Sequence, residues 1–145
     1  MGIFSLLILF QIKHFLCDYP LQRPWMLGKF KEKGWFAPLA CHALTHAVFT
    51  QLILMVCGKL QDFAYLILVD FIFHFIIDRV KASPNLLGKF NYLSKEEFRV
   101  LKTYRETSFI QRKFSDNTAA WFFLGFDQML HHLTHYFIIW KILEK

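Results

Sequence analysis

The sequence predicts an all-α fold: an integral membrane four-helix bundle with a cytoplasmic amphipathic segment between its third and fourth helices. Three observations carry that prediction. Four apolar runs, at 3–19, 37–57, 63–80 and 119–143, each come near the roughly 17–25 residues that cross a bilayer. Only 19% of the 145 residues are charged, where a soluble domain carries about a quarter, and mean hydropathy is +0.32. Within the runs, acids and histidines recur at four-residue spacing, which places each set on one face of a helix.

The first run is the shortest. No basic stretch precedes it and no small-x-small cleavage site follows it, so it is expected to be a retained helix rather than a leader. Residues 20–36, "PLQRPWMLGKFKEKGWF", hold two prolines, two glycines and four basic residues, and read as a connector with Trp25 and Trp35 at interface depth. A tight turn at 58–62 joins the second and third runs. The connector at 81–118 contains "SKEEF", where Ser94 and Glu97 fit a capping box. Phe98, Leu101 and Tyr104 or Arg105 follow at helical spacing, as an amphipathic helix on a membrane surface requires, although a solvated basic loop fits the same residues.

Basic residues orient the chain. The first and third connectors carry four and nine Lys or Arg, thirteen against three on the opposite side. Both connectors are therefore expected in the cytoplasm and both termini outside, in a multi-pass protein of the inner (plasma) membrane. The net charge of +6 then fits anionic headgroups and calls for no nucleic acid. Cys17, Cys41 and Cys57 all fall in apolar runs without a Cys-x-x-Cys pair, which argues against a disulfide framework and for apolar packing.

A charged side chain in hydrocarbon costs about 3 kcal/mol on insertion scales, so the polar stripes should face the interior of the bundle. They are His14 and Asp18; His42 and His46; Asp70, His74 and Asp78; and Asp127, His131 and His135. Counted from the basic end, His14, His42, His74 and Asp127 lie about five, five, six and eight residues deep, within one or two turns of a common level at ~1.5 Å per residue. Imidazoles and carboxylates converging at one depth compose a metal site. The predicted ligands are His14, Asp18, His42, His46, His74, Asp78, Asp127 and His131, for one or two divalent ions. Zinc suits that set first, manganese or iron next. Asp70, one turn deeper, would hold the second nitrogen of His74. His132 is off the stripe and His135 is a turn too deep, so both read as packing, hydrogen-bonding or relay residues. Gln22, Thr45, Gln128 and Thr134 would support the ligands. Arg23, Arg79 and Lys81 would rim the site, where they would grip a phosphate or simply snorkel.

The blocks "HFLCDYPLQ", "CHALTHA", "HFIIDRVK" and "DQMLHHLT" together resemble a small bacterial and phage membrane family catalogued as domain of unknown function 3307. The resemblance covers all four runs and leaves 81–118 unmatched. It implies a four-helix membrane protein whose motif residues fall on His14, Asp18 and Gln22; His42 and His46; His74, Asp78 and Lys81; and Asp127, Gln128 and His131. The family is also similar to bacterial inner-membrane proteins described as metal-dependent hydrolases.

The expected function is hydrolysis of a lipid or lipid-linked phosphate at the cytoplasmic leaflet, with Asp18 and Asp78 as candidate catalytic carboxylates and membrane lipids as partners. On this reading Asp78→Asn keeps the fold and removes hydrolysis. Other classes use the same residues: a proton or metal-ion transporter, a di-haem carrier, or a phage or host membrane interaction protein with a structural metal. Transport needs a path that is polar throughout, whereas the acids here lie toward one membrane face. Haem ligation has no use for a carboxylate one turn from each histidine. The oligomeric state is left open.

Overall fold

Gly58 stands where the second long helix must stop and the chain reverse, with φ +66°. Its N–H donates to the Met55 carbonyl at 3.0 Å and that of Lys59 to Leu54 at 2.9 Å, so the last carbonyls of the helix are satisfied by a Schellman turn that a glycine adopts without strain. Such local signals set the bounds of the elements. The computed structural model describes residues 1–31, 33–83 and 118–144. They form four long helices, α1 (Ile3–Asp18), α2 (Phe36–Val56), α4 (Tyr65–Ala82) and α5 (Thr118–Leu143). Two short pieces complete them, a 3-10 segment at Pro24–Phe30 and the single turn α3 (Leu60–Phe63). No strand occurs among the described residues. The expected capping box and amphipathic segment of the 81–118 connector lie outside them.

The long helices close a ring in chain order: α1 packs on α2, α2 on α4, α4 on α5, and α5 back on α1. Neighbours run antiparallel. Met1 meets Cys57, His42 faces Asp78 while Thr50 faces Asp70, and Lys81 meets Asp127 while His135 lies near Asp70. One end of the ring has an apolar core of Leu6, Phe10, Ile53, Leu54, Phe63, Leu66, Ile138, Ile139 and Ile142. The other end is filled by histidines, aspartates and lysines. The 3-10 segment lies against α2 and α4 at this polar end, close enough that a Cβ on Gly28 would sit 3.0 Å from Pro38 Cγ.

The outer surface is apolar on every long helix. Exposed residues include Phe4, Ile8, Ile12 and Phe15 on α1 and Leu44, Val48, Leu52 and Met55 on α2. Leu68, Ile72, Phe73 and Ile76 continue the pattern on α4, and Phe122, Phe126, Met129 and Leu133 on α5. Four spans were expected, yet among the described residues one helix, Phe36–Val56, is long and apolar enough to cross a membrane by itself. The reason is visible in the others. α1 has 16 residues, α4 carries Asp70, Asp78, Arg79 and Lys81, and the apolar run of α5 is interrupted from Asp127 to His135.

Candidate metal centre

Helical spacing delivers the predicted side chains. Residues four apart project from one face, so α1 presents Lys13, His14 and Asp18 inward, α2 His42, His46 and Thr50, α4 Asp70, His74 and Asp78, and α5 Asp127, His131 and His135. All are buried except Asp18, whose side chain is 20% exposed. The structure thus brings all eight predicted ligands together. His14 Nε2 lies 3.1 Å from Asp18 Oδ2, and His46 Nε2 lies 3.1 Å from Asp18 Oδ1. His42 Nε2 is 3.4 Å from Asp18 Oδ1 and 3.1 Å from Asp78 Oδ2. The ring of His74 stacks on that of His46 at 3.5 Å between centroids and lies 4.0 Å from that of His131. His131 Nε2 sits 3.5 Å from Asp78 Oδ1 and 3.6 Å from Asp127 Oδ1.

These contacts resolve into groups. The ligand atoms of Asp18, His42, His46 and His74 lie within 4.8 Å of one another, as do those of Asp78, Asp127 and His131, and those of Asp70, His74 and His135. Three lysines divide the groups by charge. Lys29 donates to Asp78 Oδ2 at 2.6 Å, Lys81 to Asp127 Oδ2 at 2.7 Å, and Lys13 to Asp70 Oδ2 at 2.6 Å. Asp18 pairs with no lysine among the described residues; its partners are His14, His42 and His46.

Whether the residues fit a divalent ion turns on what the buried nitrogens bond to. His42 Nε2 stands near two carboxylates, yet neither contact has hydrogen-bond geometry, and His74 Nε2 also lacks a partner. A buried polar atom without a hydrogen bond costs roughly 1–3 kcal/mol. With His42 Nδ1 and His46 Nδ1 also unpaired, three imidazoles gathered with a lysine-free carboxylate match the donor set of a His/Asp zinc site. The Asp18, His42, His46 and His74 group fits the ion; the other two groups already hold ammonium groups.

Several supporting roles are corrected. Asp70 accepts from Lys13 and from Thr50 Oγ1 at 2.9 Å, rather than holding His74. Thr45 and Thr134 donate to Cys41 and Leu130 carbonyls of their own helices, at 2.9 and 3.0 Å, the back-bond open to any helical threonine. Gln128 does reach the site: its Oε1 accepts from His14 Nε2 at 3.1 Å, and its Nε2 donates to Asp127 Oδ2 at 3.1 Å. His132 faces Gln11 on α1 at 3.3 Å. Of the three expected rim residues, Arg79 lies over the Trp35 ring at 3.6 Å, Lys81 pairs with Asp127 while its side chain stays 26% exposed, and Arg23 is exposed. Because Asp78 is the counter-charge of a buried Lys29, Asp78→Asn carries a structural cost that the sequence did not announce.

Lys13 and Lys29 were missed. Lys13 had a signal, since it is the sole lysine inside the first apolar run, directly before His14. Lys29 had none: it resembles Lys31 and Lys33 beside it, and burial singles it out.

The family described as protein of unknown function (DUF3307) matches residues 6–144. No curated protein and no solved structure matches the chain.

Proposed function

We propose that this chain, which belongs to the DUF3307 family, is a membrane-embedded metal protein that hydrolyses a phosphate-bearing lipid at the cytoplasmic leaflet. The single observation that carries the reading is the inverted distribution of polarity. Large apolar side chains cover the outside of all four long helices, while four aspartates, three lysines and six histidines are packed inside. Water would favour the reverse arrangement, and exposed apolar surface on this scale marks contact with lipid or protein. Hydrocarbon favours what is seen, because ionisable groups there must face one another. The four long helices thus make a four-helix membrane bundle, with α2 a span in its own right. The orientation rests on basic residues: thirteen against three, or twelve once the buried Lys29 is set aside. A thiol probe added from outside is expected to label Lys59→Cys and spare Lys33→Cys.

Asp18, His42, His46 and His74 would hold the ion. When bound, it supplies Lewis-acid polarisation of a phosphoryl oxygen and acidifies water. The chain's own groups do the rest. Asp18 and Lys81, with side chains 20% and 26% exposed, are the charged groups of the cluster that reach the mouth. Lys81 Nζ binds a substrate phosphate oxygen there while still touching Asp127. Asp18 Oδ1 faces His42 and His46, so Oδ2 takes the proton of an attacking water, and Gln128, accepting from His14 Nε2, fixes the imidazole beside it. Asp78 keeps Lys29 and His131 in place.

Metal analysis of detergent-purified protein, paired with hydrolysis of phosphate-bearing lipids in mixed micelles, tests this. Wild type is expected to carry metal and release product, and Asp18→Asn to lose both. A metal-loaded wild type that leaves such a panel untouched would favour a second reading, a structural metal in an interaction protein. Near-complete closure of the cluster and lysine neutralisation of Asp78 and Asp127 support that alternative. Transport is disfavoured by the apolar core beneath the cluster.

A further inference from the structure

Asp70, His74 and His135 form a metal-type cluster one turn below the Asp18 centre, and a lysine sits in it. Lys13 Nζ is 2.6 Å from Asp70 Oδ2 and 3.4 Å from His135 Nε2, with its side chain 1% exposed. Thr50 donates to the same carboxylate oxygen. The other oxygen, Asp70 Oδ1, has no hydrogen bond and lies 3.9 Å from His135 Nε2, and the His74 ring, shared with the Asp18 group, brings a nitrogen within 4.8 Å of the ligand atoms of both residues. Below is the Phe10 ring, 5.3 Å from Nζ. One carboxylate and two imidazoles, all at least nine-tenths buried, are the ligand types of a zinc site.

We propose that the Lys13 ammonium is the resident cation of this deep cluster, holding the position a divalent ion would take and so keeping the chain from binding metal there. The ammonium has three N–H donors, and here they reach Asp70 Oδ2 and His135 Nε2 while Asp70 Oδ1 is left without a hydrogen bond. A divalent ion and a lysine cation cannot share a pocket this small, because two like charges a few ångströms apart in a dry interior repel strongly. Deleting the lysine leaves the Asp70 carboxylate without its cation and the ligands intact. The deep cluster then becomes a metal site, with His74 offering it the ring nitrogen that an ion in the Asp18 group leaves free. The Asp18 group differs in having no lysine, which is why it takes an ion in the native chain. The Lys13 inference needs only the deep cluster and does not require hydrolysis.

The test counts zinc ions per chain, by elemental analysis, in the full-length detergent-purified protein stripped and then reloaded with zinc. Lys13→Met is expected to hold one more ion per chain than wild type, and Lys13→Met/Asp70→Asn to return to the wild-type count. A folded Lys13→Met with the wild-type count overturns the inference. Should Lys13→Met be unfolded without metal, zinc is expected to restore its helical circular dichroism. Failure at saturating zinc, with the double variant folded, also overturns the proposal. None in wild type and one in Lys13→Met would sink the Asp18 centre and keep the Lys13 inference; one in each would do the opposite.

Discussion

At one end of the ring the four helices meet through Leu6, Ile53, Leu54, Leu66 and Ile138; at the other they meet through His14, His46, His74 and His131. The backbone supports are the same helices, and the chemistry is opposite. Were the bundle in lipid, as proposed, the apolar end would gain little from burial, because the surroundings would be as apolar as the core, and van der Waals packing would hold it. On the same reading the polar end would have no lipid-facing alternative. Each ion pair there must be complete, since an uncompensated charge in a dry interior costs several kcal/mol. The two ends divide the labour: the apolar end is a packed floor, and the polar end fixes how the helices register and gathers the candidate ligands.

The largest expected effect breaks the polar end alone. His46→Ala removes an imidazole from the lysine-free group and should lower zinc affinity on the order of 100-fold or more in a competition titration with a chelating dye, beyond what losing a supporting residue does. His74→Ala should lower bound metal and thermal stability together, because its neighbours are left as unpaired polar groups. Next is Asp78→Ala, which strands Lys29 and should cost about 3–5 kcal/mol in detergent unfolding. Lys29→Met/Asp78→Leu should recover most of that loss, because the buried charge goes with its partner.

Leu54→Ala sharpens the comparison from the other end. It opens a cavity in the floor and should cost about 2–3 kcal/mol, near the low side for a buried leucine, while bound zinc stays at the wild-type level. If zinc binding fell with it, the two ends would not be independent. Gly28→Ala pushes a methyl onto Pro38 and should cost about 1 kcal/mol by thermal unfolding. His132→Ala removes ring packing on His14 and His135 but leaves the Asp18, His42, His46 and His74 group intact. It gives up a contact with Gln11, and should change stability by less than about 0.5 kcal/mol and leave zinc content unchanged.

Much of the polar end is legible because a helix turns a four-residue repeat into a common face. His14 with Asp18, His42 with His46, His74 with Asp78 and Asp127 with His131 could be read as pairs from spacing, and as one cluster from their depth. The apolar floor is less legible. Leu6 inside and Phe4 outside belong to the same hydrophobic run, and in a chain apolar on most faces nothing in residue type separates packing positions from exposed ones.

The sequence alone thus determined the helices, the inward stripes, and the eight side chains that share a level. Only the tertiary structure decided which carboxylates carry a lysine and which is left to the histidines. Lys13 reaches Asp70 from the helix across the ring, Lys29 reaches Asp78 from an irregular segment, and Lys81 reaches Asp127 across a helix pair. A lysine has a long side chain with four rotatable carbons, so its ammonium can meet a partner far from its own Cα and leaves no periodic trace in the sequence. Charge pairing is settled in space, as the helices pack, and with it which aspartate of the cluster is left to histidines alone.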